Sequence, residues 1–134
     1  MIHVKYKIKQ SNTHGIGLFA DQDIKVGDLI YTPSPLLDVD ITQDQFDSLS
    51  QSEQEQVMYY GYKNKKTQKW HVAYDVIRVL NHAVLGVANV TQDEDMVMTA
   101  LRDIDSGEEI LQDYAELFSA DDEHFTRINE PKVV

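Results

Sequence analysis

The sequence predicts a mainly β domain with short helices. Residues 3–9, "HVKYKIK", alternate apolar and polar side chains with the period of two that is typical of a strand. Two later stretches, 20–31 and 100–114, share one strand–turn–strand frame built around a glycine. The convincing helical signals lie in residues 42–60. With 134 residues, of which 42% are hydrophobic, the chain is large enough for one domain with a single core.

The first strand leads into a turn and then into a second extended segment. The turn is "SNTHGIG" (11–17), and "LFADQDI" (18–24) resumes the extended pattern. We predict a hairpin over "KVGDLIY" (25–31), because Lys25-Val26-Gly27 suits a three-residue loop whose glycine takes a positive φ. Prolines at 33 and 35 then force an irregular, extended passage, since each restricts the residue before it.

Two capping signals define the helical region. Thr42 and Gln45 have the spacing of a capping box, and Ser50 and Glu53 repeat it. We therefore expect two short helices between Thr42 and about Tyr60 rather than one long helix.

The second half returns to extended structure. From residue 63 the chain leads into an apolar run at 75–90, "DVIRVLNHAVLGVANV". A final hairpin is predicted from residues 96–104 and 108–114. The last residues, 115–134, favour a short helix followed by a loose end.

The two glycine turns repeat one frame, A-x-x-D-I-x-x-G-[DE]-x-I. Two copies do not make a solenoid, and a mechanical interpretation suffices: each copy is a strand, a tight turn and a returning strand. The matched positions are Ala20/Ala100, Asp23/Asp103, Ile24/Ile104, Gly27/Gly107 and Ile30/Ile110.

Composition excludes several kinds of site. The chain has no cysteine, which rules out disulfides, thiolate nucleophiles and zinc sites built on cysteine. The net charge of −11 disfavours direct binding of nucleic acid and would attract a basic peptide, although acidity that only keeps the protein soluble is the alternative. No apolar run approaches the ~20 residues of a membrane span, and the N-terminus lacks the apolar core of a signal peptide. We therefore expect an intracellular protein, cytoplasmic or nuclear.

Three short stretches are candidates for chemistry, and each alone has an ordinary structural explanation. Gly15-Ile16-Gly17 would let the backbone approach a ligand closely, or is simply a turn between strands. Asn81-His82 is a polar pair within an apolar run, which must satisfy its own hydrogen bonds or face a ligand. Tyr114 ends the second copy of the frame, where a buried phenol is usually a core residue.

Other reaction types find no support. The five histidines form no H-x-x-x-H or H-x-H pair, so we expect no metal centre. A G-x-S-x-G nucleophile elbow is also missing, and the carboxylates are scattered in a way that is typical of a solvated surface.

The order of these stretches carries more information than any one of them. G-x-G near the start, R-x-x-N-H in the second half and G-E-E-I-x-x-D-Y near the end resemble the SET-domain protein methyltransferases, most closely the small free-standing viral and bacterial type. The resemblance covers most of residues 8–118. It implies a SET domain over 1–118, with the helical insert at about 42–60 and a C-terminal tail at 119–134 that covers the cofactor site.

The resemblance also implies a fold, a reaction and roles for particular residues. The family folds as small twisted sheets of the β-clip type around a knot-like crossing, binds S-adenosylmethionine, and methylates lysines of proteins such as histones. Gly15, Ile16 and Gly17 match the loop that cradles the cofactor, and Asn81 and His82 match its Asn-His pair. The catalytic tyrosine at the mouth of the lysine channel corresponds to Tyr114, while Arg78 matches a basic residue with a structural role.

Methyl transfer from a sulfonium needs no metal and no covalent intermediate. The protein must align the amine, the methyl carbon and the sulfur in a dry channel. A tyrosine with a pKa of ~10 stays neutral at physiological pH and can position either partner. The substrate amine must first lose its proton, and the sequence contains no obvious general base for that step.

The chain departs from the family pattern at several positions. The usual N-H-S-x-x-P-N run is "NHAVLGVAN" here, so Ala83 replaces serine, Ala88 replaces proline, and the loop before Asn89 is two residues longer. Gln112 stands where many members carry an aromatic residue. The aromatic lining of the channel could then come from Tyr59, Tyr60 or Tyr62, and Phe118 or Phe125 from the tail could cover the adenine.

Three functional classes follow from these observations. The first is a protein-lysine methyltransferase whose partner is a basic protein or peptide. The second is a catalytically impaired SET-like module that binds basic segments, which the changes at Ala83 and Ala88 and the longer loop motivate. The third is a non-enzymatic β-clip protein, in which Asn81 and His82 would be internally bonded with no cleft between them and Tyr114.

Overall fold

In the computed structural model, residues 1–84 and 86–116 are described, and they form short strands with two short helices. This confirms the mainly β class. The strands are β1 Tyr6–Gln10, β2 Ile16–Ala20, β3 Leu29–Tyr31, β4 Val39–Ile41, β5 Tyr62–Lys63, β6 Trp70–Val72, β7 Asn81–His82, β8 Val90–Gln92, β9 Met98–Ala100 and β10 Leu111–Gln112. The helices are α1 Gln43–Ser48 and α2 Gln51–Tyr60, with 3-10 turns at Val76–Val79 and Tyr114–Glu116.

Both helices begin at the predicted capping boxes. The Thr42 hydroxyl accepts from the Gln45 N–H at 3.1 Å, and the Gln45 side chain accepts from the Thr42 N–H at 2.9 Å. Ser50 and Glu53 repeat this exchange at the start of α2. Ser50, with φ −63° and ψ 160°, has an extended backbone, and the region is therefore divided into two helices, as expected.

The strands form three small sheets, and one of them contains the expected knot-like crossing. The sheets have the orders β1-β2, β4-β6-β5 and β3-β9-β8-β10-β7. In the largest sheet β10 runs parallel to both β7 and β8 and lies between them, although it follows both in the chain. The connection from β7 to β8 must therefore cross β10, and the last strand is threaded between two earlier ones.

The two glycine turns do not form the two local hairpins that the sequence predicts. Each turn instead pairs with the other, because Ile24 and Ile104 exchange two backbone hydrogen bonds of 2.8 Å. The Gly107 N–H donates to the Ala20 carbonyl at 2.7 Å, and the Gly27 N–H donates to the matched Ala100 carbonyl at 2.8 Å. The repeated frame is thus a two-fold clip, in which each copy supplies the partners of the other.

Side chains of the frame complete this clip. Asp23 accepts from the backbone of the second turn, and the matched Asp103 accepts from the Val26 N–H of the first at 2.9 Å. Both glycines have positive φ, +85° at Gly27 and +95° at Gly107, so the turns have the geometry that the sequence required. The error in the prediction lay in the partner, because pairing between distant copies leaves no local signal.

The hydrophobic core includes the buried side chains of the clip. Its fully buried members come from both glycine turns and from the strands β2, β3, β8 and β9, each at most 1% exposed: Leu18, Ile24, Ile30, Tyr31, Val90, Met98, Ile104 and Ile110. Since Ile24 and Ile104 lie at the centre of the clip, packing of the core and pairing of the two turns depend on each other.

Truncation at the centre of the clip tests this dependence. We expect Ile104→Ala to lower the free energy of unfolding by about 2–5 kcal/mol in urea denaturation, because it opens a cavity in a fully buried site. Val26→Ala, at a side chain 62% exposed in the same clip, is the control and should cost less than about 0.5 kcal/mol. Equal costs for the two variants would contradict the proposed place of the clip in the core.

Candidate functional site

Two asparagines hold β10 in place. On one side Asn89, just before β8, brackets it: the Asn89 amide donates to the Glu109 carbonyl at 2.8 Å and its oxygen accepts from the Leu111 N–H at 2.9 Å. The Asn89 backbone N–H donates a third hydrogen bond, to the Leu111 carbonyl. On the other side Asn81 in β7 is in register with Leu111. The chain from 109 to 112 is therefore clamped from both flanks.

The Asn81 side chain ties this crossing to the glycine loop. Its amide nitrogen lies 2.8 Å from the His14 carbonyl, 3.0 Å from the Ile16 carbonyl and 2.8 Å from a carboxylate oxygen of Glu109. Two amide hydrogens are thus shared among three oxygens, and the side chain is 2% exposed. The glycine loop, β7 and the segment just before β10 therefore meet at this one side chain.

Glu109 also lies at this site, although the sequence indicated it only as part of the G-E-E-I-x-x-D-Y motif. Its second carboxylate oxygen accepts from the Ser11 hydroxyl at 2.8 Å and lies 3.4 Å from the Thr13 hydroxyl. The carboxylate therefore links the glycine loop, Asn81 and the crossing. Its neighbour Ile110 is fully buried, and alternation along an extended segment could have shown that Glu109 faces away from the core.

The glycines of the loop have separate structural reasons. Gly15 has φ +50°, in the left-handed region that favours glycine. A Cβ on Gly17 would lie 2.1 Å from the Glu109 carboxylate, which would then have to move from its place beside Asn81. Packing against Glu109 thus favours glycine here, a reason that the sequence did not suggest beside close approach of a ligand or an ordinary turn.

Successive residues of β7 serve opposite faces of the strand pair. Asn81 faces the glycine loop, and His82 faces Tyr114, with 5.1 Å between the ring centroids. The His82 Nδ1 accepts a 2.9 Å hydrogen bond from the Tyr114 N–H, which requires that nitrogen to be unprotonated. His82 is partly exposed, at 23% of its side chain.

Tyr114 is buried, and its hydroxyl is oriented by the backbone. The hydroxyl donates to the Leu80 carbonyl, and the side chain is 8% exposed. Burial raises the pKa of the hydroxyl well above its usual value, so it stays neutral. Because its hydrogen is committed to Leu80, the oxygen has lone pairs left to accept a hydrogen bond.

Tyr114 opens onto a pocket of about 590 Å³, which includes space open to solvent. Five of the residues that line it are tyrosines, and these include all three between which the sequence could not choose. They also include one that the sequence did not suggest, Tyr31 at the end of the first glycine frame. The five are Tyr31, Tyr59, Tyr60, Tyr62 and Tyr114.

Polar groups complete the wall of the pocket. Gln112, at the position where many relatives have an aromatic residue, lines the pocket and is held by a 3.1 Å bond to Gln92. The Arg78 guanidinium lies over the Tyr60 ring, 4.9 Å from its centroid. Arg78 therefore contributes to the wall itself, beyond the structural role that the sequence suggested.

The longer loop after His82 leaves the strand pairing intact. Ala83 and Ala88 are both buried, and the N–H groups of Val87 and Ala88 each donate to the Val84 carbonyl at 3.0 Å. This turn takes up the additional residues, with Gly86 at φ +98°. Asn89 consequently reaches the backbone of β10. Phe118 and Phe125, predicted to cover a cofactor, lie outside the described residues.

Comparison with known proteins identifies the family. A model of the SET domain matches residues 15–115, and the chain belongs to the SET-domain family, a family of methyltransferases that use S-adenosylmethionine. A search of curated protein sequences finds no match. Within the described residues, no helix is long and apolar enough to cross a membrane.

Solved structures show the same fold. A Plasmodium falciparum protein described as a histone methyltransferase is 21% identical, with a TM-score of 0.59 over 84% of this chain and 95% of that one. Polycomb Repressive Complex 2 of Chaetomium thermophilum matches with 22% identity and a TM-score of 0.61 over 99% of this chain, which spans 18% of that one. A further structure of this complex, bound to S-adenosylmethionine, is 20% identical, with a TM-score of 0.61 over 95% of this chain and 16% of that chain.

A double-mutant cycle tests the contact between the loop and Glu109. We expect Gly17→Ala to lower the free energy of unfolding by about 1–3 kcal/mol, because the new methyl group displaces the carboxylate from Asn81. In a Glu109→Ala background the same change should cost clearly less, since the obstructing group is gone. Equal costs in the two backgrounds, measured by urea denaturation, would show that Glu109 is not the constraint.

Proposed function

We propose that this protein is an S-adenosylmethionine-dependent methyltransferase that modifies lysine side chains of a basic protein, such as a histone. The observation that carries the proposal is the two-sided arrangement of β7 and β10. Asn81 on one face holds the glycine loop, while Tyr114 on the other closes an aromatic pocket. A methyl donor and a methyl acceptor need such neighbouring but separate sites.

The glycine loop and the Asn-His pair would hold the cofactor. The loop of Gly15, Ile16 and Gly17 would contact the cofactor through its backbone, and hydrogen bonds from the Asn81 amide hold this loop in place. Asn81 would therefore act on the cofactor indirectly, by positioning the loop. The Glu109 carboxylate lies against the same loop and favours a positively charged ligand. The side chain of Ile16 is 39% exposed and His82 is partly exposed, which leaves a face of this region for binding.

The pocket suits a lysine side chain. Its tyrosine rings can surround an aliphatic chain and attract an ammonium group through their faces. When bound, S-adenosylmethionine supplies a methyl group that is already activated by its sulfonium. The residues of this chain then have to exclude water and align the amine, and the neutral Tyr114 hydroxyl accepts a hydrogen bond from it.

The surface charge suits a basic substrate. The net charge of −11 would accelerate encounter with a lysine-rich protein and repel nucleic acid. The alternative, an impaired module that binds basic segments without modifying them, rests on the changes at Ala83 and Ala88. Retention of the β7–β10–β8 order and of Tyr114 in the pocket favours the enzyme.

Transfer of a labelled methyl group tests the proposal. Incubation of the protein with labelled S-adenosylmethionine, histones and cell lysates should label a protein lysine, which mass spectrometry would locate. Calorimetry should show cofactor binding in the absence of substrate. If the cofactor binds but no protein is labelled, the binding-module alternative is favoured; if the cofactor does not bind, the methyltransferase proposal fails.

Substitution of the tyrosine separates chemistry from binding. We expect Tyr114→Phe to cut kcat by roughly 10-fold or more while cofactor affinity changes less than about 3-fold, because the hydroxyl orients the amine. Loss of the bond to Leu80 should also cost about 1–3 kcal/mol of stability, so rates are compared below the unfolding transition. Tyr74→Phe, at a ring 62% exposed, is the control. Unchanged kcat in Tyr114→Phe would remove this residue from the mechanism.

A further inference from the structure

A buried group of titratable side chains stands in the wall of the tyrosine pocket. We call Tyr31, Asp38, His71 and Asp40 the His71 cluster. His71, in β6, is 1% exposed and lines the pocket together with Tyr31. The sequence did not single out either residue, and neither has a role in the methyl-transfer steps proposed above.

The two ring nitrogens of His71 face different carboxylates. Nε2 lies 3.3 Å from Asp38 and 3.3 Å from the Tyr31 hydroxyl, on the side of the pocket. Nδ1 lies 2.8 Å from Asp40. The Asp38 side chain is 1% exposed, whereas that of Asp40 is 44% exposed. The imidazole therefore connects a buried polar wall to a carboxylate in contact with solvent.

Asp38 keeps its negative charge inside the protein. Burial opposes ionisation, but hydrogen bonds from the Tyr31 hydroxyl and from the N–H groups of Tyr74 and Ser34 outweigh it and lower the pKa of Asp38. Burial and the bond to Asp38 raise the pKa of Tyr31. The tyrosine thus stays neutral while its hydroxyl is held against an ionised carboxylate.

The chemistry of the pocket requires a proton to leave. A lysine amine has a pKa of about 10.4, so roughly one in a few thousand is neutral at pH 7. Tyr62 and Tyr114, which also line the pocket, have raised pKa values because of burial, and Arg78 is a permanent cation. Of the side chains that line this pocket, His71 is the one with a ring nitrogen that can both accept and release a proton.

We propose that the His71 cluster carries the proton of the substrate ammonium from the pocket to solvent, an inference that rests on the proposed function. The substrate N–H bond breaks and its electron pair stays on the nitrogen as the attacking lone pair. The Tyr31 oxygen accepts this proton. At the same time the original hydroxyl proton of Tyr31 passes to the Asp38–His71 pair, where it forms an Nε2–H bond on His71. The imidazolium is stabilised by a carboxylate on each side and releases a proton through Asp40 to water.

The charged and titratable groups that face His71 come from three strands and from the residue before one of them. Carboxylates lie against both ring nitrogens, and buried tyrosines on β3 and β5 make the surroundings less polar; Asp75 adds negative charge near Tyr31. The facing groups are Asp38 just before β4, Asp40 on β4, Tyr31 on β3, and Tyr62 on β5, whose ring centroid lies 5.8 Å from that of His71.

The pH dependence of methyl transfer tests this path. Initial rates with labelled S-adenosylmethionine and the best histone or lysate substrate are measured from pH 6 to 10 for the wild type, His71→Gln and Asp40→Asn. We expect His71→Gln to lose roughly 100-fold or more in kcat at pH 7 and to approach the wild type near pH 10, where the free amine forms by itself. Asp40→Asn should show a smaller loss with the same pH trend.

Controls separate this role from a structural one. Asp44→Asn removes one exposed charge on α1 without touching the cluster and should follow the wild-type profile. Cofactor affinity and melting temperature are compared for all variants, and if His71→Gln does not fold, the exposed Asp40→Asn carries the test. Variant profiles parallel to the wild type, or equally lowered at every pH, overturn the proton path alone. A wild type that labels nothing at any pH overturns the proposed function and this inference with it.

Discussion

The strand β10 lies between two strands that precede it in the chain, and asparagine side chains hold it there from both flanks. Asn89 makes two side-chain hydrogen bonds to the backbone of residues 109 and 111, and Asn81 joins the other flank to the glycine loop. A strand of two residues has too few ladder bonds to fix its own position. The placement of Glu109, Gln112 and Tyr114 therefore depends on these two amides.

The clip of glycine turns delivers the chain to this crossing. Its second turn ends at Gly107, which is bonded to Ala20, and three residues later the Ile110 N–H donates to the Leu18 carbonyl at 2.7 Å. The buried isoleucines of the clip anchor that path in the core. The repeated frame is scaffold, and both copies continue into the site. The second copy contributes Glu109 to the loop and Tyr114 to the pocket. The first copy contributes Tyr31 to the same pocket and to the His71 cluster.

The features that could be predicted from the sequence are local or carried by ordered motifs. Capping boxes mark both helices because Thr42 and Ser50 act on residues three positions away. The order of the motifs indicated, through the family resemblance, that Asn81, the glycine loop and Tyr114 belong to one site. Pairing of Ile24 with Ile104 and the side-chain hydrogen bonds of Glu109 and His71 depend on segments 28 to 98 residues apart, and no periodicity records such partners. The packing reason for Gly17 could not be predicted either, since the carboxylate beside its Cβ position comes from Glu109, far along the chain.

We propose that the glycine loop and the Asn-His pair form the cofactor site on one face of the crossing. Titration of the ¹⁵N-labelled protein with S-adenosylmethionine, followed by NMR, tests this residue by residue. We expect the largest chemical-shift changes on the amides of Gly15, Ile16, Gly17, Asn81 and His82, with smaller changes at Tyr114. Changes confined to β1, α1 and other remote elements, or none at millimolar cofactor, would contradict it.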